Sequence, residues 1–150
     1  MWTALIIIAA LYFFFIRGAK SSGQPATLPT IKGNGEYEVE VVGESRYQKH
    51  LISICGKPTE DGTTKEIYAG LLLEDSNKHD DKAVAVHIEN GCVGYLSRSD
   101  ARAFRKAIAQ TAYAKYGAFQ VKALIRGGWD RGDGDTGMYG VRLDMPSLDD

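Results

Sequence analysis

From Glu36 onward the apolar residues of this chain recur mostly at every second position, in short runs broken by glycine and asparagine. A period of two with frequent turns specifies short, half-buried antiparallel strands. Tyr37, Val39 and Val41 alternate with Glu36, Glu38 and Glu40, which predicts a first strand ended by Gly43. Further strands are predicted at 67–73, at 83–88 with Val84, Val86 and Ile88 on one face, at 92–96, at 119–125 and at 138–143. Asn90-Gly91 is a strong two-residue hairpin signal between the third and fourth of these. The period shifts to that of a helix twice. Ser45-x-x-Gln48 matches a capping box ahead of Tyr47, Leu51 and Ile54, with Gly56 as the stop. Ser97 or Ser99 can cap a second helix running through Ala114, whose apolar side is Ala101, Phe104, Ala107, Ile108 and Thr111. Residues 56–62 and the Gly/Asp-rich 127–137 read as loops. Six strands, two helices and hairpin-like connections predict a mainly β, α+β domain closed into a small barrel, which removes exposed sheet edges.

The rest of the chain has a different composition. Between Met1 and Ile16 no side chain is charged, and the run from Leu5 to Ile16 is apolar all round. As a helix it would span about 24 Å, against roughly 30 Å for a bilayer's hydrocarbon core. A signal peptide would carry a basic segment first, and a buried core helix a polar stripe, so residues 1–17 are expected to be a single transmembrane anchor. Arg17 and Lys20 follow it at once, which places the C-terminal domain in the cytoplasm. Residues 18–35, rich in Ser, Gly, Pro, Thr and Lys, are expected to be a flexible linker, 36–145 the domain, and 146–150 a short acidic tail.

The net charge of −1 exerts no global pull on nucleic acid, so any such binding needs a local basic face. Chemistry-bearing motifs are scarce. Cys55 and Cys92 are too few for a disulfide framework or a zinc site and read as small buried hydrophobes. His50, His79 and His87 are scattered, and His79-Asp80 is a dipeptide that chance supplies readily. The chain has no glycine-rich phosphate loop and no nucleophile elbow. Asp130, Asp133 and Asp135 invite comparison with a calcium loop, but Met138 stands where its glycine is needed. Arg131-Gly132-Asp133 is read as a turn rather than an adhesion signal. No enzyme, cofactor or metal is expected; a metal-dependent phosphoesterase would rest on His79-Asp80 and the aspartate loop alone.

Four segments stand in a definite order: Val41-Val42-Gly43-Glu44-Ser45-Arg46-Tyr47-Gln48, then Leu73-Glu74-Asp75-Ser76-Asn77-Lys78-His79-Asp80, then Ala83-Val84-Ala85-Val86, then Val93-Gly94-Tyr95-Leu96 with Ser97-Arg98. Together with Gly127-Gly128-Trp129 and Tyr139-Gly140-Val141-Arg142-Leu143-Asp144, they resemble the HIRAN domain. That domain is found at the N-terminus of fork-remodelling helicases and in stand-alone bacterial proteins, and the closing segments resemble the bacterial branch. The resemblance covers about 36–144. It implies an OB-like barrel and, as in the helicases, a pocket for the 3′ end of a single DNA strand. Carried over by position, Arg46 and Tyr47 match an Arg-Tyr pair after the first strand. Asn77 and Asp80 match the ends of an Asn-Pro-Tyr-Asp loop, and Tyr95 and Arg98 match the aromatic and basic residues after Val-Gly. Residue type then suggests roles: Tyr47 and the His79 ring to stack on a base, Asp80 to accept from a free 3′-hydroxyl, Arg46 and Arg98 to hold phosphates. The chain departs from the helicase loop at Lys78-His79, where Lys78 adds a phosphate contact; it also lacks the helicase motor and the zinc-binding segments.

Each candidate has a plainer explanation. Tyr47 shares helical spacing with Leu51 and Ile54 and can be core, Tyr95 can be buried in its strand, and Asn77 and Asp80 can build an Asx turn. Arg98, Arg102, Arg105 and Lys106 lie on one side of a helix and can be a solvated face. If Arg46, Lys78, Arg98 and Arg102 instead neutralise about four phosphates, log K should fall with log salt at a slope near −3. Two expectations stand side by side: a membrane-anchored module for single-stranded DNA, and a protein-interaction module at the membrane without nucleic acid.

Overall fold

The computed structural model describes residues 28–148, and in it the alternating runs close on one another. The strands are β1 (Thr30–Ile31), β2 (Val39–Val42), β3 (Thr63–Leu73), β4 (Val84–Ile88), β5 (Gly91–Leu96), β6 (Ala118–Asp130) and β7 (Thr136–Asp144). The helices are α1 (Gln48–Cys55) and α2 (Arg98–Ala109), with single 3₁₀ turns at Glu44–Arg46 and Ala112–Lys115. Six strands run β6-β3-β4-β5-β2-β7, and β6 pairs with β7 as well as with β3, so the antiparallel barrel is closed. The mainly β barrel with two helices is thus the architecture of the domain.

The inward positions are those the alternation marks. Leu71, Val84, Val86, Ile88, Val121, Ala123 and Ile125 are fully buried, with Val39, Val41 and Leu143 completing the core across β2 and β7. Leu51 on α1 is also fully buried and packs into this core; truncating such a leucine costs about 2–5 kcal/mol. From α2, Phe104 meets Phe119 edge to face with centroids 5.4 Å apart.

Several expected boundaries move, most of them for a non-local reason. The first strand begins only at Val39, because Gly35 and Tyr37 take positive φ and the Gly35 N–H is held by the Asp144 carboxylate at 2.8 Å. α1 is entered at Tyr47 with no side-chain cap, so the Ser45 capping box does not form. Gln48 instead spans to β7: its Nε2 donates to the carbonyls of Glu44 and Tyr139, and its Oε1 accepts from the Tyr139 N–H. The hairpin turn falls on Glu89-Asn90, both at positive φ, not on Asn90-Gly91. Gly91 opens β5 and is needed there for space, since a Cβ would lie 2.4 Å from His50 Nε2, which donates to the Ile88 carbonyl.

α2 ends at Ala109, five residues short of Ala114, because Thr111 Oγ1 donates to the Ile108 carbonyl and accepts from Tyr113 N–H; Ala107 and Thr111 are exposed. The stretch expected to loop from Gly127 continues β6 to Asp130, with the Tyr139 ring lying over Gly128 where a Cβ would come within 2.3 Å. β3 likewise begins four residues early. The expected linker enters the sheet at its end, where β1 pairs in parallel with Gln120 and Val121, and Leu148 of the expected tail packs on the core. Cys55 and Cys92 are free thiols at intermediate depth. The expected anchor at residues 1–17 lies outside the described residues; among those described, no helix is long and apolar enough to cross a membrane.

Candidate nucleic-acid interface

At the end of β2 the chain turns through Gly43 into the 3₁₀ turn, and this brings Arg46 and Tyr47 beside Tyr95 of β5. The loop between β3 and β4 folds over the same place, and α2 starts next to it. The result is an open groove of about 480 Å³ lined by Val42, Arg46, Tyr47, Asn77, His79, Asp80, Ala83, Tyr95, Leu96 and Arg98. Of the nine candidates read from the sequence, all but Lys78 and Arg102 line it. Lys78 is exposed on the loop outside the groove, and Arg102 stands behind Asp80 on the next turn of α2.

Asn77 shapes the loop as an Asx turn: its Oδ1 accepts from the backbone N–H of His79 (2.8 Å) and of Asp80 (3.1 Å), while its Nδ2 donates to Glu74 at 3.0 Å. The plainer role is therefore real, and it coexists with a place on the groove wall. Asp80 is the electrostatic centre. Its Oδ1 accepts from the Lys82 N–H at 3.0 Å, and the Arg102 guanidinium spans both its oxygens at 3.2 and 3.3 Å. Arg98 Nε lies 4.0 Å away. The Lys82 N–H first, and then Arg102, hold the Asp80 carboxyl below its ordinary value, so it is ionised at neutral pH.

Tyr47 and Tyr95 are half-buried on the groove floor, with Cys92 and Glu74 close enough to act on their phenols, and the Cys92 thiol donates to the Gly94 carbonyl at 3.4 Å. Burial raises both phenols, Tyr95 further because of Glu74, so both are neutral donors at physiological pH. Burial likewise pushes the Cys92 thiol up. Arg46 is exposed and pairs with no carboxylate among the described residues.

Sequence reasoning missed Glu74, Cys92 and Arg105. Glu74 lies inside the loop motif and Cys92 three residues before Tyr95, yet only the fold turns them toward the tyrosines. Arg105, expected as part of a solvated stripe, is 16% exposed and staples the loop to α2 through the Lys82 and Ala83 carbonyls and Asp75. Among the described residues, no group of three His, Cys, Asp or Glu side chains is placed to hold a metal ion. The chain matches no protein-family model, no curated protein and no solved structure.

Proposed function

We propose that this barrel is a HIRAN-like, non-enzymatic module that binds single-stranded DNA in the Arg46–Asp80–Arg98 groove, taking a 3′-hydroxyl end, and that residues 1–17 tether it to a membrane with the domain cytoplasmic. The observation that carries the reading is the meeting in one open groove of two half-buried tyrosines, two exposed guanidiniums, and one ionised carboxylate. Aromatic faces stack on bases without regard to sequence, and arginines hold the backbone. A carboxylate has about four lone-pair sites; Arg102 and the Lys82 N–H occupy three at Asp80, which leaves one to accept from a sugar hydroxyl. A 3′-phosphate in that place would meet like charge. The exposed His79 ring stands at the rim as the second stacking surface.

The test is a titration of the full-length protein with matched single strands ending in 3′-hydroxyl or 3′-phosphate, and with a blunt duplex. The 3′-hydroxyl strand should bind at least tenfold better than either. Equal binding of the two single strands removes end recognition, and no binding of any of the three removes the nucleic-acid reading.

A further inference from the structure

We infer that the first half of β3 is a docking edge for an extended segment of a partner protein that carries one central Lys or Arg, an inference independent of the DNA reading. The register of β3 fixes which backbone groups point where. β3 pairs with β6 without interruption from Thr63↔Gly127 to Leu72↔Ala118, and the Leu73 N–H bonds to the Gly117 carbonyl in the same register. In an antiparallel ladder the bonding direction alternates, so the odd-numbered residues of β3 bond to β6 and the even-numbered ones point away. On that other side Gly70 and Leu72 meet His87 and Ala85, and Glu74 N–H bonds to the Ala83 carbonyl.

β4 then ends at Ile88, while β3 runs on. The N–H and C=O groups of Thr64, Glu66 and Tyr68 extend past it and bond to no described residue. All three residues are exposed, Tyr68 at 51%. Elsewhere the comparable edge of β7 is closed by the Gln48 amide acting as a short strand on Tyr139. The open stretch offers three donors and three acceptors over about 13 Å, a template for one added strand.

Charge selects the occupant. Exposed Glu66 stands at the centre of the edge, whereas exposed Arg126 and Lys122 of β6 lie across from Thr64 and Tyr68 on the same face, so only the central position calls for a cation. Lys65 is directed to the opposite face by the strand's alternation. A second copy fits poorly, because a pairing centred on this edge sets Glu66 against Glu66, a destabilising like-charge pair. A strand with one Lys or Arg opposite Glu66 and uncharged residues opposite Thr64 and Tyr68 satisfies both the backbone and the carboxylate.

The test is selection of a displayed random peptide library on the full-length protein. The expected outcome is enrichment of extended peptides with one central Lys or Arg and uncharged residues two positions to either side. On addition of a selected synthetic peptide, amide exchange should slow at least tenfold at Thr64, Glu66 and Tyr68 and stay unchanged at Thr63, Lys65 and Ile67. Glu66→Pro removes the central outward N–H without touching the β6 ladder, and should weaken peptide binding at least tenfold while leaving DNA binding as it was. Glu66→Lys, which leaves the backbone intact, should do the same by charge. No enrichment, selected peptides that bind Glu66→Lys as tightly as wild type, or protection without the alternation overturns the inference.

Discussion

Replacing Arg46 and Arg98 together by alanine should weaken single-strand binding about thirtyfold and cut its dependence on salt to about a third. The size follows from how the groove spends its charges. Arg46 pairs with no described carboxylate, and the Arg98 side chain is 78% exposed and only within 4.0 Å of Asp80. Arg102 is committed to both oxygens of Asp80, so that pair is close to neutral. Three guanidiniums against one carboxylate leave two positive charges for phosphate, and Lys78 at the loop's outer side adds a third. With a slope of about −0.7 per phosphate neutralised on a single strand, the wild type should show about −2, not the −3 that counting Arg102 as free would give. The double variant keeps Lys78 and should fall to about −0.7. Exposed ion pairs are worth at most about 1 kcal/mol each, so losing both costs about 2 kcal/mol, or about thirtyfold in affinity. Since neither side chain supports the core, the Tm should hold. Fluorescence anisotropy of a labelled oligothymidine across a salt series reads both quantities. A double variant that keeps the wild-type slope would falsify the assignment of this groove as the phosphate track.

Four further outcomes are expected. Asp80→Asn keeps an acceptor for the Lys82 N–H but frees Arg102, and should narrow the preference for 3′-hydroxyl over 3′-phosphate strands. Gly91→Ala drives a methyl into His50 and should cost about 1–3 kcal/mol, read as a lower unfolding midpoint in urea. Gln48→Ala strands the Tyr139 N–H and C=O and should cost about 1–3 kcal/mol, with faster amide exchange at Tyr139. Cys92, its thiol held protonated by burial, should react with iodoacetamide at neutral pH more slowly than glutathione does, and equal rates would contradict that burial.

What the sequence made legible is what neighbouring residues decide among themselves. Alternation and turn residues act over a few positions, so the six barrel strands and both helices could be read before any contact was known. What it hid depends on partners far along the chain. Gln48 has the composition of a cap, but its amide is claimed by Tyr139, which lies 91 positions away. Gly128 looks like a loop residue until the Tyr139 ring is seen lying over it in the closed barrel. β1, two residues in a Pro- and Gly-containing stretch, has no periodicity to betray it. The candidate site divides along the same line. That Arg46, Tyr47, Asn77, Asp80, Tyr95 and Arg98 belong together was carried by motif order and residue type, and the fold sets them around one groove. The charge available in that groove was not legible, because it turns on Arg102 reaching Asp80 across 22 positions. A helix stripe of four cations reads as four phosphate ligands or as none, whereas the folded chain divides it: Arg105 spent on the loop, Arg102 on Asp80, and Arg98 left facing the groove. On the proposed reading, binding strength and its salt dependence turn on tertiary contacts of the α2 stripe, so variants of Asp80 and Asp75 should tune DNA affinity as surely as variants of the arginines themselves.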